Sequence, residues 1–152
     1  MSQPEIEYLT SDNIPLVGRR WLPTGNLRAV VCLVHGLGEH CGRYAHIAEA
    51  LSAEGIAVIG IDHRGHGRSG GIRGHVDGFD QYIGDVVGFA ESQVAELGAD
   101  LPLFLLGHSM GGLITTRVLQ TYGGSLAGAV ISNPCLGVAV KAPALKVGAA
   151  RL

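Results

Sequence analysis

Two short runs, Ala29–Val34 and Ile56–Ile61, are apolar almost without interruption. An alternating strand hides one face, whereas a run apolar throughout hides both, as in a parallel sheet covered by helices above and below. Between the runs Tyr44, Ile47, Ala48 and Leu51 recur at helical spacing, and Gly55 stands where a helix stops. Strand, helix and strand joined this closely form a right-handed crossover. The pattern then repeats. Phe79, Tyr82, Ile83, Val86, Val87, Ala90, Val94 and Leu97 make one long apolar stripe, followed by a strand at Leu101–Leu106, a helix at Leu113–Tyr122 and a strand at Ala127–Ser132. Upstream, Ile6–Leu9 and Leu16–Leu22 read as two strands around a Ser11-Asp12-Asn13 turn. The expected class is α/β, with a mostly parallel sheet and helices on both faces.

Length and charge narrow the function classes. A chain of 152 residues, 47% apolar and 16% charged, has one domain's worth of core and is not disordered. A net charge of −2 gives no reason to expect nucleic acid as a partner. Cys32, Cys41 and Cys135 lack framework spacing, and the first residues carry neither a basic nor an apolar signal region, so a cytoplasmic setting is expected. The longest apolar stretch, Leu126–Val140, is interrupted by Ser132, Asn133 and Pro134 and is too short to span a bilayer. The seven histidines show no metal-site spacing, so no metal is expected; His35, His40, His46, His63, His66 and His75 read mostly as loop hydrogen-bonders beneath a site.

The stretch Gly107-His108-Ser109-Met110-Gly111-Gly112 lies between a strand and a helix. A G-x-S-x-G turn in that setting is a nucleophile elbow: the small flanking residues permit a sharp, strained turn that lifts the serine above the sheet. A serine hydroxyl attacks only once a base takes its proton. The Met110 N–H, at the following helix's N-terminus, would face the oxyanion of a tetrahedral intermediate. A second donor is expected from the loop after an earlier strand, and His35-Gly36-Leu37-Gly38 fits it, with the Leu37 N–H as candidate. His108 neighbours the serine but points away on the turn, and Asp85 reads as a structural hydrogen-bonder.

Together with Glu39-His40, Gly42-Arg43-Tyr44, Asp62-His63-Arg64-Gly65-His66-Gly67-Arg68-Ser69 and Arg73-Gly74-His75-Val76-Asp77, these motifs resemble the monoacylglycerol lipase/lysophospholipase group of α/β-hydrolases, from about Ile6 to Leu136. The resemblance implies a serine esterase without metal or organic cofactor, cleaving the small lipid ester of a monoacylglycerol or lysophospholipid. It carries over Ser109 as nucleophile, with Leu37 and Met110 as oxyanion donors and His35, Gly36, Gly107, His108, Gly111 and Gly112 in support. Another serine hydrolase, such as a thioesterase, peptidase or acyltransferase, is the nearest alternative. A dinucleotide-binding module is disfavoured: Gly36-x-Gly38-x-x-x-Gly42 has the wrong spacing and places His40-Cys41 where a pyrophosphate would approach, and Gly65-x-Gly67-x-x-Gly70 opens no convincing helix.

One departure stands out. All 13 acids lie within residues 1–109, and residues 110–152 contain no Asp, Glu or His, although such hydrolases supply acid and base after the serine. The expectation is therefore the N-terminal part of a single domain (1–152), with 134–152 the start of a lid region, inactive alone and in the limit a non-catalytic fragment. Ala127–Ser132 would be an unprotected sheet edge, favouring self-association, and any membrane contact of a longer protein would be transient and through the lid.

Overall fold

A computed structural model describes residues 5–137. Its elements are β1 (Glu5–Leu9), β2 (Pro15–Trp21), β3 (Ala29–Val34), α1 (Ala45–Ala53), β4 (Ile56–Ile61), α2 (Phe79–Leu97), β5 (Leu103–His108), α3 (Met110–Tyr122) and β6 (Gly128–Ser132), with 3-10 turns at Cys41–Tyr44 and Gly123–Ser125. Six strands form one sheet in the order β1-β2-β4-β3-β5-β6. β3 pairs in parallel with β4 and β5, and β5 in parallel with β6; β1–β2 and β2–β4 are antiparallel.

The period of two in a strand sorts β3 between two cores. Val30, Cys32 and Val34 pack with Ile59, Ile61, Phe89 and Ile114 beneath α2 and α3. Val31 and Leu33 turn to the opposite face, with Trp21, Ala48 and Val58 beneath α1. All six β3 residues are buried, which is why no polar residue interrupts them. Gly55 ends α1 in the left-handed region, φ +79°, where a Cβ would be strained.

Several boundaries differ from those the sequence suggests, β1, β2 and β6 by one residue at one or both ends and β5 and α3 by more. β5 starts at Leu103 rather than Leu101, because Pro102 has no N–H for the ladder and contributes only its carbonyl, to Val30 N–H at 3.0 Å. It then runs on to His108, since Gly107 and His108 pair with Ile131 and Ser132. α3 begins at Met110 rather than Leu113, because the chain turns into the helix directly at Ser109. Of the expected lid region 134–152, residues 138–152 lie outside the described residues, and 134–137 form no regular element.

Candidate active site

β3 and β5 are parallel neighbours, so the loops leaving their C-terminal ends emerge side by side. That end of an open α/β sheet is where ligands bind. Val34 stands opposite Gly107 in the register, which sets the His35–Gly38 loop against the Gly107–Gly112 turn. A Cβ built on Gly36 would lie 3.2 Å from the Ser109 Cβ.

Ser109 has φ 55° and ψ −117°, a region costly for a residue with a Cβ. Three groups hold it there. Its N–H donates to Ser132 O at 3.1 Å, and its carbonyl accepts from Leu113 N–H at 3.2 Å and Cys135 N–H at 3.0 Å. The flanking glycines leave no room for side chains. A Cβ on Gly111 would collide with the Val34 carbonyl, and one on Gly107 with Thr115 Oγ1; on Gly112 it would press on Pro134 at 3.0 Å. Met110 is the first residue of α3, so its N–H has no intrahelical acceptor and sits at the positive end of the helix. Among the described residues the Leu37 N–H also has no protein acceptor.

Behind this loop lie His35, His63 and His66, all buried. Carbonyl acceptors fix their tautomers. His35 Nδ1–H donates to Gly36 O at 2.8 Å, so its Nε2 accepts from His63 N–H at 2.9 Å. His63 Nε2–H donates to His35 O at 3.1 Å and His66 Nδ1–H to Arg64 O at 3.0 Å. Burial lowers His35 to about 4, and it pushes His63 well below the usual histidine value, so both are neutral near pH 7. Asp62 ties the next loop: Oδ1 accepts from Cys41 N–H at 2.8 Å and Oδ2 from Arg68 N–H at 2.9 Å. Arg64 forms a bidentate pair with buried Asp85, 2.7 Å on both contacts, and reaches Asp12 at 2.7 Å. Asp85 is thus the structural partner expected of it, joining α2 to the loop after β4.

His108 extends toward Ser132 Oγ, 3.3 Å away, and lines a cavity of about 300 Å³ with Glu39, Arg43, Tyr44, His46 and Leu106. It does not reach back to Ser109 as a base. The other histidines divide. His40 and His46 are exposed and His75 contacts Asp77 at the surface, so these three are not beneath the site: His40 and His75 lie on the outer sides of their loops and His46 on the exposed side of α1. Among the described residues no cluster of His, Cys, Asp or Glu converges as a metal site.

Glu39 has a place here that its position in the motif alone does not assign. Its Oε2 accepts from Gly36 N–H at 3.0 Å and Tyr44 O–H at 2.7 Å, and Oε1 pairs with Arg43 at 2.7 Å. Burial raises its carboxyl, but the bonds from Tyr44 and Gly36 and the charge of Arg43 outweigh that and leave it below its ordinary value. An acid three residues after a loop glycine was the available signal.

A family model described as serine aminopeptidase, S33, matches residues 25–152. The chain is 41% identical over 119 residues to the monoacylglycerol lipase of Mycolicibacterium smegmatis, covering 76% of this chain and 41% of that protein. It is 38% identical over 145 residues to the monoglyceride lipase of Mus musculus, covering 95% and 48%. The solved monoacylglycerol lipase of Paleococcus ferrophilus superimposes with a TM-score of 0.72 at 37% identity, covering 90% of this chain and 49% of that one. The chain thus spans less than half the length of these relatives.

Proposed function

The chain belongs to the serine aminopeptidase S33 family of α/β-hydrolases, and from that premise we propose that Ser109 is the nucleophile of a monoacylglycerol lipase-type hydrolase. The observation that carries the reading is the left-handed Ser109 at the N-terminus of α3, held against a loop whose Leu37 N–H has no acceptor among the described residues. Ser109 Oγ attacks the carbonyl carbon of a small lipid ester, its proton passing to a base. The carbonyl oxygen becomes an oxyanion between the Leu37 and Met110 N–H groups. The C–O bond to the alcohol then breaks, the alcohol takes the proton, and water releases the acid from the acyl-enzyme. The neighbouring chemistries of the family, on thioesters, peptides or acyl acceptors, use the same steps.

Residues 110–152 hold no Asp, Glu or His, and His108 and Asp85 are engaged elsewhere. The base and its acid partner in this proposal therefore come from outside residues 1–152. By the same reading, 1–152 is the N-terminal part of one hydrolase domain, 134–152 begins its lid, and turnover by 1–152 alone is near background. No metal or organic cofactor enters the steps. None of the described helices is long and apolar enough to cross a membrane; a cytoplasmic setting and a transient membrane contact of the longer protein are part of the same proposal. Self-association through β6 is the further partner we propose.

A fluorophosphonate probe tests the assignment. Labelling of the wild-type chain that Ser109→Ala abolishes supports it. Labelling that survives Ser109→Ala, or none even when the chain is extended by the residues that align with the remainder of a relative, counts against it.

A further inference from the structure

We propose that Glu39 is a positioning residue for the oxyanion loop, acting through the Gly36 N–H to aim the Leu37 N–H at the reacting carbonyl. The inference rests on the serine-hydrolase reading and adds to it a residue that touches neither substrate nor Ser109 Oγ.

The loop between β3 and the Cys41–Tyr44 turn has few anchors of its own. Gly38 is left-handed, φ +70°, and has open space around the Cβ position. Leu37 is 66% exposed and Gly38 is exposed, so packing does not fix this tip. The backbone contact across it, Glu39 N–H to Gly36 O, is long at 3.4 Å. The Glu39 carboxylate supplies the shorter closure. It reaches back over Gly38 and Leu37 and accepts the Gly36 N–H at 3.0 Å. Tyr44 O–H at 2.7 Å and Arg43 at 2.7 Å hold the same carboxylate from the following 3-10 turn. A charge-assisted acceptor is roughly twice as strong as a neutral one.

Two consequences follow for the site. Because Gly36 donates to Glu39, that N–H is withdrawn from any oxyanion, and the loop's free donor is Leu37. The carboxylate is also packed into the active-site floor: its Oε2 and the Ser109 Cβ lie 3.0 Å and 3.2 Å from the point a Gly36 Cβ would occupy. That point is therefore closed to a side chain, and the carboxylate and nucleophile are separated by one glycine. Arg43 offsets a charge that would otherwise oppose a nearby oxyanion. The charged and titratable groups facing Glu39 are Arg43 and Tyr44 from the 3-10 turn, His108 from β5 and His35 from the end of β3.

The test uses the 152-residue chain labelled with ¹⁵N. In the wild type the Gly36 amide proton is shifted downfield and follows the titration of the Glu39 carboxyl. Glu39→Ala abolishes that titration and displaces the Leu37 and Gly38 amides while the β3 and β5 resonances hold. Glu39→Gln keeps a hydrogen-bonded Gly36 amide through its carbonyl but loses the pH dependence. Unchanged Leu37 and Gly38 amides in Glu39→Ala overturn the proposal, as does a wild-type Gly36 amide indifferent to Glu39 ionisation. If Glu39→Ala does not fold, Glu39→Gln decides, and a solvent-like Gly36 amide in it overturns the proposal. Phosphonate labelling of Ser109 reads the functional side: about 10- to 100-fold slower in Glu39→Ala, largely restored in Glu39→Gln. Should the wild type show no labelling even when extended by the residues that align with the remainder of a relative, the hydrolase reading fails while the amide shifts still judge the placement of the loop.

Discussion

The bases of the loops leaving β3 and β4 are tied to each other and to α2, whereas the strand pair β5–β6, which carries the serine, has a neighbouring strand on one side among the described residues. At the first pair, three buried histidines, Asp62 and the Arg64–Asp85 ion pair join the loops to each other and to α2. At the second, α3 covers one face, but Val130 is 61% exposed on the other and β6 has a neighbour on one side among the described residues. In the proposed site, the half built on the β3 loop rests on that core, and the half built on Ser109 lies one strand in from the β6 edge. Substitutions in the first region should therefore cost folding, and those at the far edge should cost association.

The largest effect is expected at Arg64. Arg64→Met leaves the Asp85 carboxylate, 3% exposed, without its cation, and breaking a buried pair by removing one partner costs about 3–5 kcal/mol. Urea unfolding of the variant measures it. A loss below about 1 kcal/mol would mean that the β4 side is no better tied than the edge, and the contrast would collapse. Next is Gly111→Ala, where the new Cβ meets the Val34 carbonyl. Backbone cannot yield as a flexible side chain does, so the elbow must open; a loss of about 3 kcal/mol is expected. Ser109 labelling should fall with it, since α3 and the Met110 N–H move together.

The pH dependence sharpens the same contrast. His35 is lowered to about 4 by burial, against an unfolded value of about 6.5. Between those values the unfolded chain binds the proton and the folded chain does not, so stability rises with pH across that window and falls on acidification. The slope is about 1.4 kcal/mol per pH unit for each such histidine, and His63, also lowered, acts in the same direction. Unfolding midpoints followed from pH 7 to 4.5 should decline, and His35→Gln should decline less steeply by roughly one proton. An unaltered slope would place the acid response in His63 or the carboxylates instead.

Much of this was legible in the chain. Short runs apolar almost throughout, bounded by turn residues and separated by a helical stripe, point to strands covered on both faces, so β3, β4 and the crossover through α1 follow from pattern, while the pairing of loop with elbow was expected from the motifs. Ser109 was legible because few backbones accept a non-glycine residue there unless its neighbours are small. The lateral ties were not. Asp62 binding Cys41 and Arg68, Arg64 spanning Asp12 and Asp85, and Glu39 folding back on Gly36 depend on which loops the sheet order brings together, and that order is a property of pairing rather than of local periodicity. The histidines illustrate the limit. Seven look alike in sequence, yet His35, His63 and His66 are buried and bonded while His40, His46 and His75 face outward, a distinction drawn only by what the fold packs around each one.

The smallest effect on stability, and the most direct probe of the edge, belongs to Val130. It stands opposite Leu106 in the β5–β6 register, on the face that α1 covers further along the sheet. Among the described residues β6 has no strand on its outer side, and an edge of that kind with an exposed β-branched residue on its face is a template for pairing with another chain. Val130→Lys keeps the backbone ladder to β5, removes little buried area and places like charges across any symmetric contact. Its folding free energy should change by no more than about 0.5 kcal/mol. Sedimentation velocity should show concentration-dependent association for the wild type and a monomer for the variant. A wild type that stays monomeric at high concentration would remove the edge from the comparison, whereas association that persists in Val130→Lys would move the contact away from β6, for instance to the opposite edge at β1.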